Sequence, residues 1–329
     1  MPPEPRSARG TPKRPRILVI KRILVIKLGA LGDFVQAMGP AAAIRAHHKD
    51  AEITLLTSAP FGDIAQMSPY FDHVWVHERP RRFDIAAWLR LRRLLRDGHF
   101  DRIYDLQTSS RSSSYFHLMG PYLFGMGPRP EWSGIARGAS HPHANPRRDF
   151  MHTLDRQADQ LAMAGIRSVL PPDLSWAAAD IAHFNLPRDF MLLVPGGAAH
   201  RLDKRWPAAH YAQLAALIAQ HGVTPVVIGG RDEAEATRVV SRGVPLARDL
   251  AGQTNLAEIV GLGAAARYAI GNDTGPMHLI VAAGCPATVL YSAASDPALT
   301  QPRGKVTVLR RDDLATLGVA EVAATLSFG

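Results

Sequence analysis

Short apolar segments recur along the chain and alternate with longer segments whose apolar residues repeat every three or four positions. The short segments predict buried strands, and the longer ones predict helices that turn one face toward a core. In the first half, the predicted strands are 22–27, 52–57, 74–77 and 102–106, and the predicted helices are 34–47, 85–96, 112–118 and 153–164. A stretch over 125–145 that is rich in Gly, Pro, His and Arg predicts a loop.

The alternation resumes after the break at Pro171-Pro172-Asp173, and we place the linker between the halves at about 165–187. In the second half, the predicted strands are 190–194, 224–228, 267–270, 287–291 and 306–309, and the predicted helices are 208–221, 233–241, 256–265, 279–283 and 313–326. Strands that alternate with helices favour a parallel, doubly wound sheet. We therefore predict an α/β protein with two Rossmann-like, doubly wound domains that face each other across a cleft.

The pattern divides the chain into four segments. Residues 1–15 are rich in Pro and Arg and predict a disordered tail. Residues 16–170 form the predicted N-terminal domain, and residues 171–311 form the predicted C-terminal domain. The remaining residues, 312–329, contain the closing helix.

The hexapeptide RILVIK occurs twice in succession, at 16–21 and at 22–27. Only the second copy leads directly into Leu28-Gly29, so we predict that it is the first strand of the sheet. The first copy is a duplicated start, a scar in the gene sequence or an extra edge strand, and these alternatives stay open.

Composition narrows the class of protein. A chain of 329 residues is long enough for two domains, and 47% hydrophobic with 20% charged residues is typical of a globular protein. The single cysteine, Cys285, excludes an intramolecular disulfide and indicates a reducing compartment. No apolar run approaches the roughly 20 residues that span a bilayer.

The formal net charge of +9 can steer the protein toward nucleic acid, anionic lipid or an acidic substrate. Zinc-finger and RNA-binding motifs are absent from the sequence, so we expect no nucleic-acid partner. Arginines cluster around the predicted helix 85–96, at positions 79, 81, 82, 90, 92, 93 and 96. This cluster is either an ordinary solvated helix face or a patch that faces a membrane or an acceptor.

The segment 272–278 carries the strongest chemical signal. It follows the apolar run 268–270 and precedes a predicted helix, so it lies where a strand ends and a helix begins. Free backbone amides and the helix dipole favour an anion at such a place. Asp273, Thr274 and His278 add an acceptor, a hydroxyl and an imidazole, and we predict a phosphate-bearing ligand. The alternative is an ordinary helix cap.

A second loop, 194–207, joins the first strand of the second half to its helix. Gly196 and Gly197 allow a close turn, and Lys204 and Arg205 supply positive charge near a helix start. A diphosphate leaving group needs such charge when no metal is present. In the turn 229–233, Asp232 either reaches a ribose hydroxyl or caps a helix.

A third loop, 27–33, follows the first strand. Gly29 and Gly32 permit a tight turn, although the dinucleotide fingerprint G-x-G-x-x-G is absent. Asp33 either caps the next helix or takes a proton from a hydroxyl nucleophile. Gln107 lies in a polar loop that contacts an acceptor or only solvent. The fourteen histidines are scattered, so we predict no metal site.

These motifs together resemble glycosyltransferase family nine, the ADP-heptose:lipopolysaccharide heptosyltransferases. The resemblance rests on Gly29, Gly32 and Asp33, on the segments 203–207 and 273–278, and covers roughly 22 to the C-terminus. It implies a GT-B fold and inverting, metal-independent transfer. An ADP-sugar donor, namely ADP-heptose, would bind the C-terminal domain, and a lipopolysaccharide-core acceptor would bind the N-terminal one. It also implies a closing helix that crosses back to the first domain.

The resemblance further implies roles for individual residues. Asp33 would be the general base, and Lys204 would stabilise the departing diphosphate. The donor would contact a larger set: Gly196, Gly197, Lys204, Arg205, Asp232, Asp273, Thr274, Gly275, Pro276, Met277 and His278. The acceptor would contact Gly29, Gly32, Asp33 and Gln107. An enzyme of this kind would work in the cytoplasm, in peripheral contact with the inner membrane of a Gram-negative bacterium.

One departure keeps alternatives open. Ala198, Ala199 and His200 stand where similar heptosyltransferases commonly carry hydroxyl residues that bind phosphate. Backbone amides of 196–199 substitute for them, the donor differs, or the chain is a non-catalytic nucleotide-sugar or glycolipid-binding paralogue. A nicotinamide-dependent oxidoreductase is disfavoured by the missing glycine fingerprint.

Overall fold

The computed structural model describes residues 20–120, 129–197 and 201–328. The predicted tail over 1–15 and most of the first RILVIK copy lie outside the described residues. So do Ala198, Ala199 and His200, on which the predicted departure from the heptosyltransferase pattern depends.

Within these residues the first half forms a six-stranded, all-parallel sheet. Its strands are β1 (Arg22–Ile26), β2 (Glu52–Thr57), β3 (His73–Val76), β4 (Arg102–Asp105), β5 (Glu131–Gly134) and β6 (His141–Pro142). They lie in the order β3-β2-β1-β4-β5-β6. The second RILVIK copy is therefore the first strand, as predicted. The prediction of an unbroken loop over 125–145 is wrong, because β5 and β6 extend the sheet there.

The helices of this half surround the sheet. They are α1 (Leu31–Gln36), α2 (Met38–His47), α3 (Gly62–Gln66), α4 (Ile85–Asp97), α5 (Ser110–Leu118) and α6 (Thr153–Met163). The predicted helix 34–47 is divided at Ala37 and begins earlier, so Asp33 lies inside the first turn of α1. The N-cap is Ala30, which offers no side-chain acceptor, and the alternative of Asp33 as the cap residue is wrong.

The second half repeats the design with a second six-stranded parallel sheet in the described residues. Its strands are β7 (Phe190–Val194), β8 (Thr224–Val227), β9 (Arg248–Asp249), β10 (Tyr268–Asn272), β11 (Ala287–Tyr291) and β12 (Val306–Arg310). Their order is β12-β11-β10-β7-β8-β9. Counted from its own first strand, each sheet has the order 3-2-1-4-5-6 of a Rossmann fold. The predicted pair of doubly wound domains is confirmed.

The second half contributes a further set of helices. They are α7 (Ala208–Gln220), α8 (Ala234–Ser241), α9 (Leu256–Ala265), α10 (Gly275–Ala282), α11 (Pro297–Thr300) and α12 (Val319–Ala323). Among the described residues, no helix combines the length and apolar character needed to cross a bilayer. The exact boundary between the domains, near residue 170, stays a prediction.

The closing segment differs from its prediction. In place of one helix over 313–326 there are a 3-10 turn (Leu314–Thr316) and the short α12, with Gly318 between them. Leu317 and Val322 are buried in a cluster made by the second domain, and the Trp206 indole Nε1 donates to the Leu317 carbonyl over 2.9 Å. The segment therefore packs on its own domain, and its predicted packing on the first domain is wrong.

The two domains touch directly along one side of the cleft. The Gln36 side chain donates to the Thr300 carbonyl over 3.1 Å, and the Thr153 hydroxyl donates to the Leu299 carbonyl over 3.2 Å. An ion pair of 2.7 Å joins Arg303 to Asp155. Helix α1, which follows β1, packs against α10, which follows β10. The loops at the carboxyl ends of the two central strands are thus brought together.

Candidate active site

Side chains from other segments hold the backbone of the loop after β1. The Leu28 amide donates to Gln107 Oε1 over 2.8 Å, and the Leu28 carbonyl accepts from the Ser58 hydroxyl over 2.6 Å and from the Arg79 guanidinium. Gly29 has φ +123°, and a Cβ there would lie 2.8 Å from the Phe61 ring. Only glycine fits this turn. Gln107, predicted as an acceptor contact, braces the loop instead of projecting a free amide oxygen.

Beneath this loop lies a pair of buried ionisable groups. Asp105 is fully buried, and its Oδ1 accepts from the amides of Gln107 and Thr108 over 3.1 and 3.0 Å. Burial raises the pKa of Asp105 to about 6. The Lys27 ammonium donates to the Leu106 carbonyl over 3.2 Å, and burial lowers the pKa of Lys27, an effect that nearby Asp33 opposes.

Asp33 is partly buried on the first turn of α1. Across residues 20–120, 129–197 and 201–328, its carboxylate accepts no hydrogen bond. Its electrostatic neighbours are Lys27, Arg156 and His278. A carboxylate that the protein leaves free of hydrogen bonds is available to a substrate hydroxyl.

His278 brings the second domain to the same place. A Cβ added to Gly32 would lie 2.8 Å from the His278 ring, and a Cβ on Gly275 would lie 2.7 Å from Leu31. Both glycines therefore allow close approach of α1 and α10. Burial lowers the pKa of His278 to about 4, against the opposing effects of Asp273 and Asp33, so the imidazole is neutral at pH 7. Its Nδ1 is buried and has no partner among the described residues.

The second domain supplies an ion pair at the end of β10. Lys204 Nζ lies 2.7 Å from Asp273 Oδ2, which also accepts from the Ser295 hydroxyl over 2.8 Å. The Asp273 side chain is 9% exposed and that of Lys204 is 20% exposed. The two residues, predicted from separate loops, therefore form one charged unit that retains access to the cleft.

Asn272, the residue before this aspartate, ties the loops together. Its Nδ2 donates to the carbonyls of Pro195 and Gly196 over 2.8 and 3.0 Å. Its Oδ1 accepts from the Trp206 amide over 3.0 Å and from the Tyr211 hydroxyl over 3.1 Å. Every polar group of this buried amide side chain is thus used to fix the loop after β7 relative to the end of β10.

The glycine turn after β7 is closed by a carboxylate. Glu233 accepts from the Gly197 amide and, over 2.7 Å, from the Gly230 amide. A Cβ on Gly196 would lie 2.0 Å from the Glu233 carboxylate, so a side chain there would displace this carboxylate from the turn. The Arg205 guanidinium donates to the Gly197 carbonyl, which turns its charge toward the same turn. Asp232 is exposed, and Glu233 takes the capping role that was considered for it.

The predicted residues of 274–277 divide between the site and the core. Thr274 is the N-cap of α10 without a side-chain cap bond, and Pro276 occupies the first turn. Met277 is fully buried in the apolar core, where a Cβ on Gly271 would lie 2.5 Å from its sulfur. The prediction that Met277 contacts a donor is therefore corrected, because its side chain serves packing.

Sequence reasoning missed several residues that organise the site. Asn272 and Glu233 were visible only as polar residues at strand ends, and Ser295 carried no local signal. The predicted strand 22–27 ends at Lys27. A lysine that follows an apolar run indicates a buried charge, and this indication was missed. In the described part of the chain, no three His, Cys, Asp or Glu side chains gather in a way that could hold a metal ion.

Two Rossmann domains that present the ends of their central strands to a shared cleft define the class of the protein by its architecture, the GT-B fold. The family model described as Glycosyltransferase family 9 (heptosyltransferase) matches residues 88–315, well over half of the chain. The chain belongs to that family.

Individual relatives agree. Lipopolysaccharide heptosyltransferase 2 of Escherichia coli (strain K12) is 26% identical over 309 residues, covering 85% of this chain and 85% of the relative. The solved glycosyl transferase family 9 protein from Veillonella parvula DSM 2008 is similar with TM-score 0.80 and 20% identity, over 93% of this chain and 96% of that one. The E. coli ADP-heptose lps heptosyltransferase II has TM-score 0.74 and 22% identity, over 92% and 96%.

Proposed function

We propose that this glycosyltransferase moves a heptose, or a related sugar, from an ADP-sugar to a lipopolysaccharide core or a similar glycolipid acceptor. The transfer inverts the anomeric carbon and needs no metal ion. One observation carries the proposal. Asp273, which pairs with Lys204, directly follows β10, and the helix after β10 packs His278 against the turn that bears Asp33. A base and a cation then stand on opposite sides of one cleft.

Direct displacement at an anomeric carbon needs a group that takes the proton of the attacking hydroxyl. Asp33 suits this role because it is partly buried and its carboxylate is not used by the described protein atoms. The cationic groups of Lys27 and Arg156 are its electrostatic neighbours. The acceptor in this proposal lies over the first domain, beside Gly29 and Gly32.

The departing diphosphate needs positive charge and hydrogen-bond donors in fixed positions. Lys204 supplies a charge, and the Gly275 amide at the start of α10 supplies a donor at a helix N-terminus. The turn at Gly196 and Gly197, with Arg205 behind it, lets the donor approach the backbone. Such a set of cations and amides performs the work that a metal ion does in other transferases.

The relatives support the chemical identity of the substrates. One structural relative is titled an ADP-heptose lps heptosyltransferase, and the curated relative is a lipopolysaccharide heptosyltransferase of a Gram-negative species. We extend ADP-heptose and a lipopolysaccharide-core acceptor to this chain as the proposed substrates. A lipid-anchored acceptor implies work at the cytoplasmic face of the inner membrane, with the enzyme in peripheral contact.

The decisive experiment replaces Asp33 by asparagine and measures both transfer and nucleotide binding. Asp33→Asn keeps the shape of the side chain, so ADP affinity by calorimetry should stay within about twofold while kcat falls roughly 10²–10⁴-fold. Lys204→Met should instead weaken both ADP binding and turnover. Transfer by the wild type should persist in EDTA.

Asp63→Asn is the matched control, because Asp63 is an exposed aspartate in the first turn of the neighbouring helix α3. It should leave kcat and ADP affinity unchanged. Full activity of Asp33→Asn would refute the assigned base, and loss of ADP binding together with folding would show a structural role instead. A strict need for a divalent cation would refute the metal-free mechanism.

A further inference from the structure

Helix α4 buries one face and leaves apolar side chains on the other. Leu91 and Leu95 are buried in the core of the first domain, whereas Ile85 and Leu89 are 73% and 57% exposed. Phe83, just before the helix, is 87% exposed. Ile85 and Leu89 are four residues apart, so they stand on the same outward face. We call Phe83, Ile85 and Leu89 the α4 ridge.

Arginines surround this ridge. Seven arginines lie between 79 and 96, against the carboxylates of Glu78, Asp84 and Asp97 in the same region. The Asp84 carboxylate is used as the N-cap of α4, where it accepts from the Ala87 amide over 2.9 Å. At about 100° of rotation per residue, positions 92 and 96 continue the line of the ridge toward the end of the helix, and position 93 lies beside it. The Arg82 guanidinium stacks over the Phe83 ring at 5.7 Å.

The α4 ridge is connected to the loop that carries Asp33. Arg79 donates to the Leu28 carbonyl, and Arg111 Nη1 donates to the Pro80 carbonyl over 2.8 Å. The segment that leads into α4 is therefore fastened to the first-domain side of the cleft. A surface that rests on the ridge would lie on the same domain as the proposed acceptor site.

We propose that the α4 ridge and its arginines dock on an anionic lipid bilayer. An exposed helix face with apolar residues at its centre and arginines at its edges is the pattern of a helix that lies in the membrane interface. The apolar side chains enter the boundary between headgroups and acyl chains, and the guanidinium groups bind lipid phosphates. The inference deepens the proposed function, on which it rests for the reason to bind a membrane.

The charges favour lipid over a second copy of the chain. A symmetric dimer through this face would bring the arginines of both copies together, and like charges in contact are unfavourable. The ridge is also short, because it contains three large apolar side chains, whereas a stable protein interface buries on the order of 1,600 Å². A negatively charged bilayer neutralises the arginines, and its binding does not require an apolar interface of that size.

The test measures flotation of the purified full chain with phosphatidylcholine vesicles, with and without phosphatidylglycerol. The wild type should bind only the anionic vesicles, and added salt should weaken binding. Arg82→Gln with Arg93→Gln should lower partitioning about 25-fold, at roughly fivefold for each arginine. Ile85→Ser with Leu89→Ser should lower it at least about tenfold, even at low salt.

Val239→Ser is the matched control, because Val239 is an apolar residue 40% exposed on α8 of the other domain, between Arg238 and Arg242. It should bind vesicles like the wild type. Circular dichroism should show that every variant is folded. The vesicles contain no acceptor, so the result is independent of whether the proposed transfer occurs.

Three outcomes would overturn the proposal: no binding of the wild type to anionic vesicles, equal binding by the ridge variants, or a dimer in light scattering that the ridge variants dissolve. Transfer to a water-soluble, delipidated acceptor should be equal in wild type and ridge variants. If the wild type transfers no sugar to this acceptor but still binds vesicles, the proposed function would be contradicted and the docking proposal would not.

Discussion

Asn272→Ala is the most informative substitution for the way this fold builds its site. The change removes one buried amide whose four hydrogen bonds reach the glycine turn, the Trp206 amide and the Tyr211 hydroxyl. These groups lie in the turn after β7, in the loop before α7 and in α7 itself. A single side chain at the end of β10 therefore fixes a segment that lies 61 to 77 positions before it.

The magnitude follows from what remains unpaired. The Tyr211 hydroxyl keeps a second acceptor, the Val194 carbonyl, at 3.3 Å. The carbonyls of Pro195 and Gly196 and the amide of Trp206 lose the partner that Asn272 provides. Each orphaned buried group costs about 1–3 kcal/mol, so for three such groups we expect a loss of about 3–9 kcal/mol in the free energy of unfolding. Domains are commonly stable by only about 5–15 kcal/mol.

The assay is urea unfolding followed by far-ultraviolet circular dichroism, with ADP binding measured by calorimetry on the folded variant. Asn272→Leu serves as the control, because leucine fills the space without restoring the hydrogen bonds. It should be destabilised about as much as the alanine variant. Near-wild-type stability of Asn272→Leu would show that the cost is a cavity, and a loss under about 1 kcal/mol in Asn272→Ala would refute the reasoning.

Two further predictions concern the first domain. Gly32→Ala places a methyl group 2.8 Å from the His278 ring, so it should cost about 1–3 kcal/mol in urea unfolding; unchanged stability would contradict the close contact of the domains. Burial raises the pKa of Asp105 from 3.8 to about 6, so the folded state binds more protons than the unfolded state and stability falls as pH rises through this window. Asp105→Asn should abolish that fall, a gain of roughly 3 kcal/mol at pH 7, and an unchanged pH profile of urea midpoints would refute it.

Apolar segments that are buried on both faces made much of the fold predictable. The predicted bounds of β2, β7, α9 and β11 coincide with those observed, because their apolar runs end abruptly at polar or turn residues. The missed strands β5, β6 and β9 are two to four residues long and lie toward one edge of each sheet. Their pairing depends on the neighbouring strand and leaves little local pattern.

The site was predictable as a set of loops but not as a set of contacts. Ligand loops follow parallel strands, so the segments after β1, β7 and β10 could be chosen from the sequence. The bond from Lys204 to Asp273 spans 69 positions, and that from Asn272 to Pro195 spans 77. Such pairings are set by the order of strands in the sheet, which local patterns do not encode. Met277 was named among the donor contacts by resemblance alone, and its burial follows from the packing of α10 on the sheet.

The pairing of Lys204 with Asp273 has a consequence for turnover. Asp273 provides the lysine with a resident counter-ion, and Ser295 keeps that carboxylate in place. In the proposed mechanism, the ammonium group returns to this carboxylate when the nucleotide diphosphate departs and does not remain as an unneutralised charge. The proposal therefore implies that the same ion pair limits the tightness of nucleotide binding and lowers the electrostatic cost of product release.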